Sequence, residues 1–312
     1  MIKHAPTVSV CIVTFNSSMD IEGCLRAVLQ QTWPLQDIII VDNASSDHTT
    51  EIINQLGFIV RLVCNQENIG FAAAQNQAIS LSTSDYVLVL NPDVVLDHRY
   101  IEELVSVIKE DSTVGSATGC LLQSNQIEVI DSTGISMSIF RRSVDRGAGQ
   151  YASNFHEQGE IFGVSGAAAL YSRKFINHIS VGGQFYDEDF FAYKEDVDVA
   201  WRGQNLGWRS RYVPKAIATH ARGWGEHTRR KSVPVKIRRH SYVNRYLMII
   251  KNEKFDWRWW MRFPLLIGYE ALWNGYVLVS DPKSLGSWKS MRQLIPHAIR
   301  KRNIILNKLK EQ

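Results

Sequence analysis

Along the first 120 positions, short unbroken apolar runs alternate with stretches of helical repeat. The runs are Val8–Thr14, Asp37–Asp42, Ile59–Val63, Asp85–Leu90 and Gly115–Leu121. Each has the length and continuity of a strand buried on both faces. Between them, Ile21, Leu25, Val28 and Leu29 mark a helix with Asp20 placed to cap it, and Ser46 opens another carrying Ile52, Ile53 and Leu56. Phe71–Leu81 and Arg99–Glu110 read as two more helices. Strand–helix alternation of this kind predicts an α/β fold with a doubly wound, mainly parallel sheet. Ligands of such sheets sit beyond the carboxyl ends of the strands.

Further along the periodicity changes. Residues 122–165 read as loop-rich, and 187–206 as a loop feeding a helix. Val233–Lys251, Trp257–Val279 and Leu285–Leu309 have helical patterns. Phe263–Ser280 is apolar but interrupted by Glu270 and Asn274. It is too short and too polar for a membrane span, and reads instead as a helix lying on a membrane surface.

Charge sharpens this division. The net charge of +4 hides 11 Lys and Arg against 25 Asp and Glu in residues 1–200, and 24 against 6 in residues 201–312. Eight of the nine tryptophans lie at or beyond Trp201. A basic, aromatic last third suits an anionic membrane surface, a nucleic acid, or pairing with the acidic body of the chain. The apolar content of 45% excludes a disordered chain. Four scattered cysteines without a C-x-x-C pair exclude a disulfide framework and point to a reducing compartment. Val8–Phe15 alternates like a strand and carries no small-residue cleavage site, so no signal peptide is expected.

Three strand ends carry the candidate chemistry. Asp42 closes the second run, where a carboxylate can accept from a base imide or a ribose hydroxyl; Ser45, Ser46 and Asp47 after it suit helix capping. Asn68 and Gly70 precede a helix directly, as at a nucleotide or diphosphate site, although a plain loop-to-helix junction has the same pattern. Asn91 and Asp93 flank Pro92 after the fourth run, and residues two apart in extended chain point the same way. An amide and a carboxylate there could meet a ribose and a divalent cation, or simply form an Asn-Pro turn. Gly166, Ala167 and Ala168 make either small-residue packing or room for a sugar. Trp201 and Trp208 read as core, and the basic run after His227 as a closing loop or a solvated one.

Taken together, VSVCIVTFN at Val8–Asn16, QTWP at Gln31–Pro34, VDNASSD at Val41–Asp47, ENIGFAAAQN at Glu67–Asn76, NPDV at Asn91–Val94 and DEDFFAYKEDVD at Asp187–Asp198 resemble the inverting glycosyltransferases of family 2. The branch that the chain looks most like is that of bacterial rhamnosyltransferases using dTDP-L-rhamnose. The resemblance covers about residues 7–225. It implies a GT-A catalytic domain over residues 1–228, with a nucleotide-sugar half to about 121 and an acceptor half beyond, followed by a helical region over 229–312.

The resemblance also implies roles. Thr14, Asn16 and Asp42 would contact the nucleotide, with Asn68 and Gly70 at the same donor site. Asn91 would meet the ribose, and Asp93 would hold Mg²⁺ or Mn²⁺ together with His220. Asn91 stands where the family has the first acid of a D-x-D motif. Asp196 would be the base, with Glu195, Gly166 and Ala167 in the sugar or acceptor pocket. On a helix, Glu195 and Asp198 share a face that Asp196 leaves. The expected activity is transfer of L-rhamnose to a polyprenyl-diphosphate-linked glycan of O-antigen, capsule or another surface polysaccharide, at the inner face of the cell membrane. Nucleic acid is not an expected partner, and an oligomer is left open. Rival readings are another donor (UDP-galactofuranose, UDP-glucose or UDP-N-acetylglucosamine), a sugar-nucleotide pyrophosphorylase, or a non-catalytic glycan binder.

Overall fold

Strands β1 (Val8–Thr14), β2 (Asp37–Asp42), β3 (Arg61–Cys64) and β4 (Tyr86–Leu90) lie side by side in the order β4-β1-β2-β3, all parallel. In the computed structural model, which describes residues 5–57, 60–221 and 233–311, the crossovers are α1 (Ile21–Leu29), α2 (Thr49–Gln55) and α3 (Phe71–Ser80). Ile12, Ile39, Ile40 and Leu88 are wholly buried, as unbroken apolar runs require. Each such side chain contributes roughly 1.5–3 kcal/mol on leaving water. The α/β sheet expected from the alternation is therefore present.

The other half of the sheet is mixed. β11 (Ala168–Ser172) runs antiparallel between β4 and β6 (Val114–Gln123), and β12 (Arg209–His220) runs parallel to β6. β5 (Val94–Leu96) and β10 (Gly159–Ile161) pair with β12, and β7 (Gln126–Ser132) pairs with β6. β8 (Ile135–Met137) and β9 (Ser143–Asp145) form a separate hairpin. Residues 122–165 are thus not the loop-rich stretch that their composition suggests. Most of their strands are only three residues long, and the partner of β10 lies about 50 positions away, so local patterning does not reveal them.

Several boundaries also differ. Asp20 occupies the N-cap position of α1 without a capping hydrogen bond from its side chain. α2 starts at Thr49 rather than Ser46, because Ser45 and Ser46 are tied to Asn16 and the Asp47 carboxylate accepts from the Thr49 N–H at 3.1 Å. β3 is displaced to Arg61–Cys64, and Ile59 lies outside the described residues. α4 (Tyr100–Glu110) and α5 (Arg173–Ile179) complete the layers around the sheet, and α6 (Glu195–Asn205) follows the acidic loop.

The last third is helical: α7 (Val235–Asn252), α8 (Trp257–Ser280), α9 (Pro282–Leu285) and α10 (Trp288–Lys310). α7 packs on α6, and Val243, Leu247 and Met248 share one apolar cluster with Val197 and Trp201. Part of the last third's basic charge is paired: Arg238 with Asp281 and Arg245 with Glu270 within it, and Lys251 and Lys301 with the acids after Phe185, while Glu253 takes Arg141 of the body. Arg238 is thus spent on Asp281, whereas exposed Arg239 donates to the neutral Lys283 carbonyl at 2.8 Å. His227 and the basic run Arg229–Lys231 lie outside the described residues.

Candidate active site

Thr14 and Asp42 end adjacent strands in register. The Thr14 hydroxyl donates to Asp42 Oδ1 at 2.8 Å, and the Ser45 N–H donates to Asp42 Oδ2 at 2.8 Å. Asp42 thus shapes the loop after β2 as well as standing at the sheet's carboxyl edge. Asn16, in the left-handed region at φ 52°, accepts from the Ser46 N–H at 2.8 Å and braces the same loop. Asn68 Oδ1 accepts from the Gly70 N–H at 2.9 Å. Gly70 has φ 90°, and a Cβ there would lie 2.6 Å from the Phe191 ring. The close approach that this glycine permits is to Phe191, which ties the start of α3 to the acidic loop.

Asn91 and Asp93 follow β4 and face one cavity of about 530 Å³. His220, the last residue of β12, pairs with Val94 across the β5–β12 ladder, which brings its ring to Asp93. Nε2 lies 3.3 Å from Asp93 Oδ1, and Nδ1 lies 2.8 Å from Asp131 Oδ2. Burial opposes the charged ring, but the two carboxylates outweigh it and raise His220 to about 9. Among the described residues no cluster of three or more His, Cys, Asp or Glu is arranged to hold a metal. A two-residue site nevertheless suits a hard cation that takes its other ligands from a diphosphate and water. With Asp131 fixing Nδ1, Nε2 is the nitrogen left for a metal, the usual outer-shell arrangement of a ligating histidine.

Opposite this pair, Phe191, Tyr193 and Lys194 have φ of 59°, 71° and 70°. Non-glycine residues seldom take that conformation, and it is held here from outside the loop. The buried amide of Asn244 on α7 donates to the carbonyls of Phe190, Ala192 and Tyr193 at 2.8, 2.9 and 2.8 Å. The turn delivers Glu195 and Asp196 to the cavity at the first turn of α6. Asp196 is half-buried, and its Oδ2 accepts from the Gly166 N–H at 3.2 Å. Burial raises Asp196, the Gly166 N–H pulls it back, and the charge of Asp145 adds to the rise. Glu195 is buried with Oε2 unpartnered, and burial followed by the Asp196 charge lifts it to about 8. Both causes favour the protonated form of Glu195.

Asp198 turns away from the cavity. Arg202 Nε donates to it at 2.9 Å, Lys251 Nζ at 2.8 Å and Asn252 Nδ2 at 2.7 Å. Lys251 also reaches Asp187, as does Lys301 from α10. Burial opposes ionisation of Asp187, yet these two lysines hold its carboxyl below the usual range. Asp187 and Asp198 are therefore structural acids that fasten α7 and α10 to the loop.

The candidate residues fall into two groups. Asn91, Asp93, Gly166, Ala167, Glu195, Asp196 and His220 line one cavity. Thr14, Asn16, Asp42, Asn68 and Gly70 are not among its lining residues and stand along the β1–β3 edge. Asp131, Asp145 and Asn244 were not foreseen. Asp145 also lines the cavity, from β9. Nothing local marks these three; they belong to segments read as loop or as tail.

The family model described as "Glycosyl transferase family 2" matches residues 9–180, more than half of the chain. Poly-beta-1,6-N-acetyl-D-glucosamine synthase of Staphylococcus aureus is 29% identical over 210 residues, covering 66% of this chain and 48% of that protein. The Staphylococcus epidermidis protein of the same name is 25% identical over 212 residues, covering 67% and 48%. The chain thus spans about half the length of the curated relatives it matches. Among solved structures, GalNAc-T7 with UDP, GalNAc and Mn²⁺ superposes with TM-score 0.61 at 16% identity, over 80% of this chain and 48% of that one. Mannosyltransferase PcManGT from Pyrobaculum calidifontis with GDP-Man and Mn²⁺ gives 0.56 at 19%, over 98% and 75%. Staphylococcus aureus TarS gives 0.59 at 14%, over 97% and 54%. At these identities the likeness concerns the fold.

Proposed function

The chain belongs to glycosyl transferase family 2 and has its GT-A fold, and from this we propose that it transfers a sugar from a nucleotide donor to a hydroxyl with inversion. The observation that carries the reading is Asp196 facing Asp93 and His220 across one cavity. A base and a diphosphate-binding pair then flank the space where an anomeric carbon would sit. Asp196 takes the proton of the acceptor hydroxyl as that oxygen attacks, and a base so placed commonly contributes about 10²–10⁴-fold. Burial raises its carboxyl above the ordinary aspartate value, which makes it a stronger base. Burial and the Asp196 charge bias Glu195 towards its neutral form, which limits negative charge beside the base. Thr14 and Asp42 hold the base end of the nucleotide, and Asn91 the ribose. Asp93 and His220 would hold Mg²⁺ or Mn²⁺, which when bound neutralises charge on the departing nucleoside diphosphate.

For the donor we keep dTDP-L-rhamnose, on the motif resemblance. UDP-N-acetylglucosamine is the second reading, because the curated relatives are named as N-acetylglucosamine polymer synthases. Turnover measured across dTDP- and UDP-sugars with Mg²⁺ or Mn²⁺ decides between them. Absence of transfer or donor hydrolysis with every sugar would end the transferase reading.

The acceptor in this reading is a polyprenyl-diphosphate-linked glycan met by a peripheral enzyme at the inner membrane face. No helix among the described residues is long and apolar enough to cross a membrane. α8 nevertheless exposes Trp257 (65%), Trp260 (62%), Leu265 (63%) and Leu272 (78%), which suit the headgroup boundary. Co-sedimentation with phosphatidylglycerol vesicles should rise with anionic lipid, fall with salt, and weaken in Trp257→Ala/Trp260→Ala. Indifference of the wild type to such vesicles at low salt would exclude docking.

A further inference from the structure

Beside the catalytic cavity lies a second one of about 310 Å³, and Ser143, Tyr193, Lys194 and Ser241 line both. Their linings differ in charge. Asp93, Asp145, Glu195 and Asp196 line the first together with Lys194 and His220, whereas among the described residues Arg142, Lys194, Arg238 and Arg245 line the second without an acid. Arg238 and Arg245 are neutralised by Asp281 and Glu270. Arg142 donates to the Tyr269 hydroxyl at 3.1 Å, and Lys194 to the Ser143 hydroxyl at 2.8 Å, both neutral oxygens. Burial lowers Lys194, the charges of Asp196 and Asp145 in the first cavity offset part of that, and the charges of Arg142 and Arg245 add to the lowering, so an anion in the second cavity would relieve the repulsion on that side.

We propose that the second cavity binds a phosphate or diphosphate ester of the acceptor, held by Arg142 and Lys194. This rests on Asp196 being the base that meets the acceptor. Arg142 and Lys194 both donate to neutral oxygens, acceptors that phosphate oxygens can replace. A guanidinium is also shaped for phosphate oxygens. The anion does not come from the donor, because Asn91, Asp93 and His220 do not line this cavity. Lys194 stands two positions before Asp196, so a phosphate on Lys194 lies next to the attacking end of the same molecule. Trp273, whose ring lies under the Arg142 guanidinium at 4.4 Å, keeps that side chain against the cavity wall.

Calorimetric titration of phenyl phosphate into the full chain, with UDP saturating and no metal added, tests the site. The wild type should bind it, Arg142→Gln should bind about tenfold more weakly, and Arg142→Lys should recover most of the loss. Arg142 is exposed, so its replacement leaves the core intact. Binding unchanged in Arg142→Gln overturns the proposal, as does binding lost in Asp93→Asn or blocked by UDP, which would place the anion at the donor site. Phosphatidylglycerol vesicles form a separate arm. If they displace phenyl phosphate and their own binding needs Arg142, the anion is a lipid headgroup and the acceptor assignment falls. The two readings fail apart: transfer that ignores Arg142 removes this site and leaves the transferase standing. No turnover with any donor, while phenyl phosphate still needs Arg142, ends the transferase reading and the acceptor assignment with it, and leaves an anion site alone.

Discussion

The side-chain amide of Asn244 donates to the Tyr193 carbonyl at 2.8 Å, and through that bond a helix beyond the matched family segment holds the turn that presents the base. The same amide reaches Phe190 and Ala192. Without it, three left-handed residues can relax and Asp196 moves with them. Asn244→Ala should lower kcat by about ten- to a hundredfold, because a misplacement of about 1 Å costs that order. Donor KM should change little. Steady-state kinetics beside a melting curve check this; an equal loss in donor binding would show that Asn244 acts on the whole fold instead.

Asp196→Asn keeps the shape of the side chain and removes the base. We expect kcat to fall by about 10² or more while donor affinity persists. Activity within a few-fold of wild type would exclude Asp196 from that role.

Asp131 touches His220 from the side away from Asp93. Asp131→Asn should therefore weaken Mn²⁺ activation by about 10–100-fold, the usual effect of losing such a partner. Manganese titration of turnover reads it directly, and excess chelator should abolish turnover in the wild type. Full activity in chelator would remove the metal from the reaction.

Glu195 gives a pH dependence whose sign follows from its burial. Its folded pKa of about 8 lies above the ordinary glutamate value of 4.5, so the folded state binds more protons between these values. The stability this gives is fully present below pH 4.5 and is lost as pH rises through about 8. Glu195→Gln, neutral throughout, should lose less melting temperature than the wild type between pH 6 and pH 9. Parallel melting curves for the two proteins over that range would contradict the assignment.

Lys251 is buried between Asp187 and Asp198. Lys251→Met leaves two buried carboxylates facing each other with fewer partners. Breaking such a cluster costs about 3–5 kcal/mol, read as the shift in denaturant midpoint at unchanged slope. A shift below 1 kcal/mol would mean that Arg202 and Lys301 suffice.

What the sequence by itself determined lies in the parallel half and at the strand ends. Val8–Thr14 and Asp37–Asp42 form strands over the very residues their apolar runs span, because burial on both faces leaves a local pattern. Asp93 could be singled out because it follows directly on an apolar run at a strand end, and Asp196 because the motif around it resembles that of family 2. What only the tertiary structure decided depends on contacts between distant segments. Asp131 meets His220 across 89 positions, and Lys251 meets Asp187 across 64, with nothing in either neighbourhood to announce the partner. The basic tail is the clearest case: net charge tells how much positive charge there is but not where it points. Packing of α7 and α10 turned Arg245, Lys251 and Lys301 inward onto acids, while Arg142 and Lys194 face neutral oxygens at the mouth of a cavity. Burial and pairing, which divide these cations into structural and candidate binding groups, are properties of the folded chain alone.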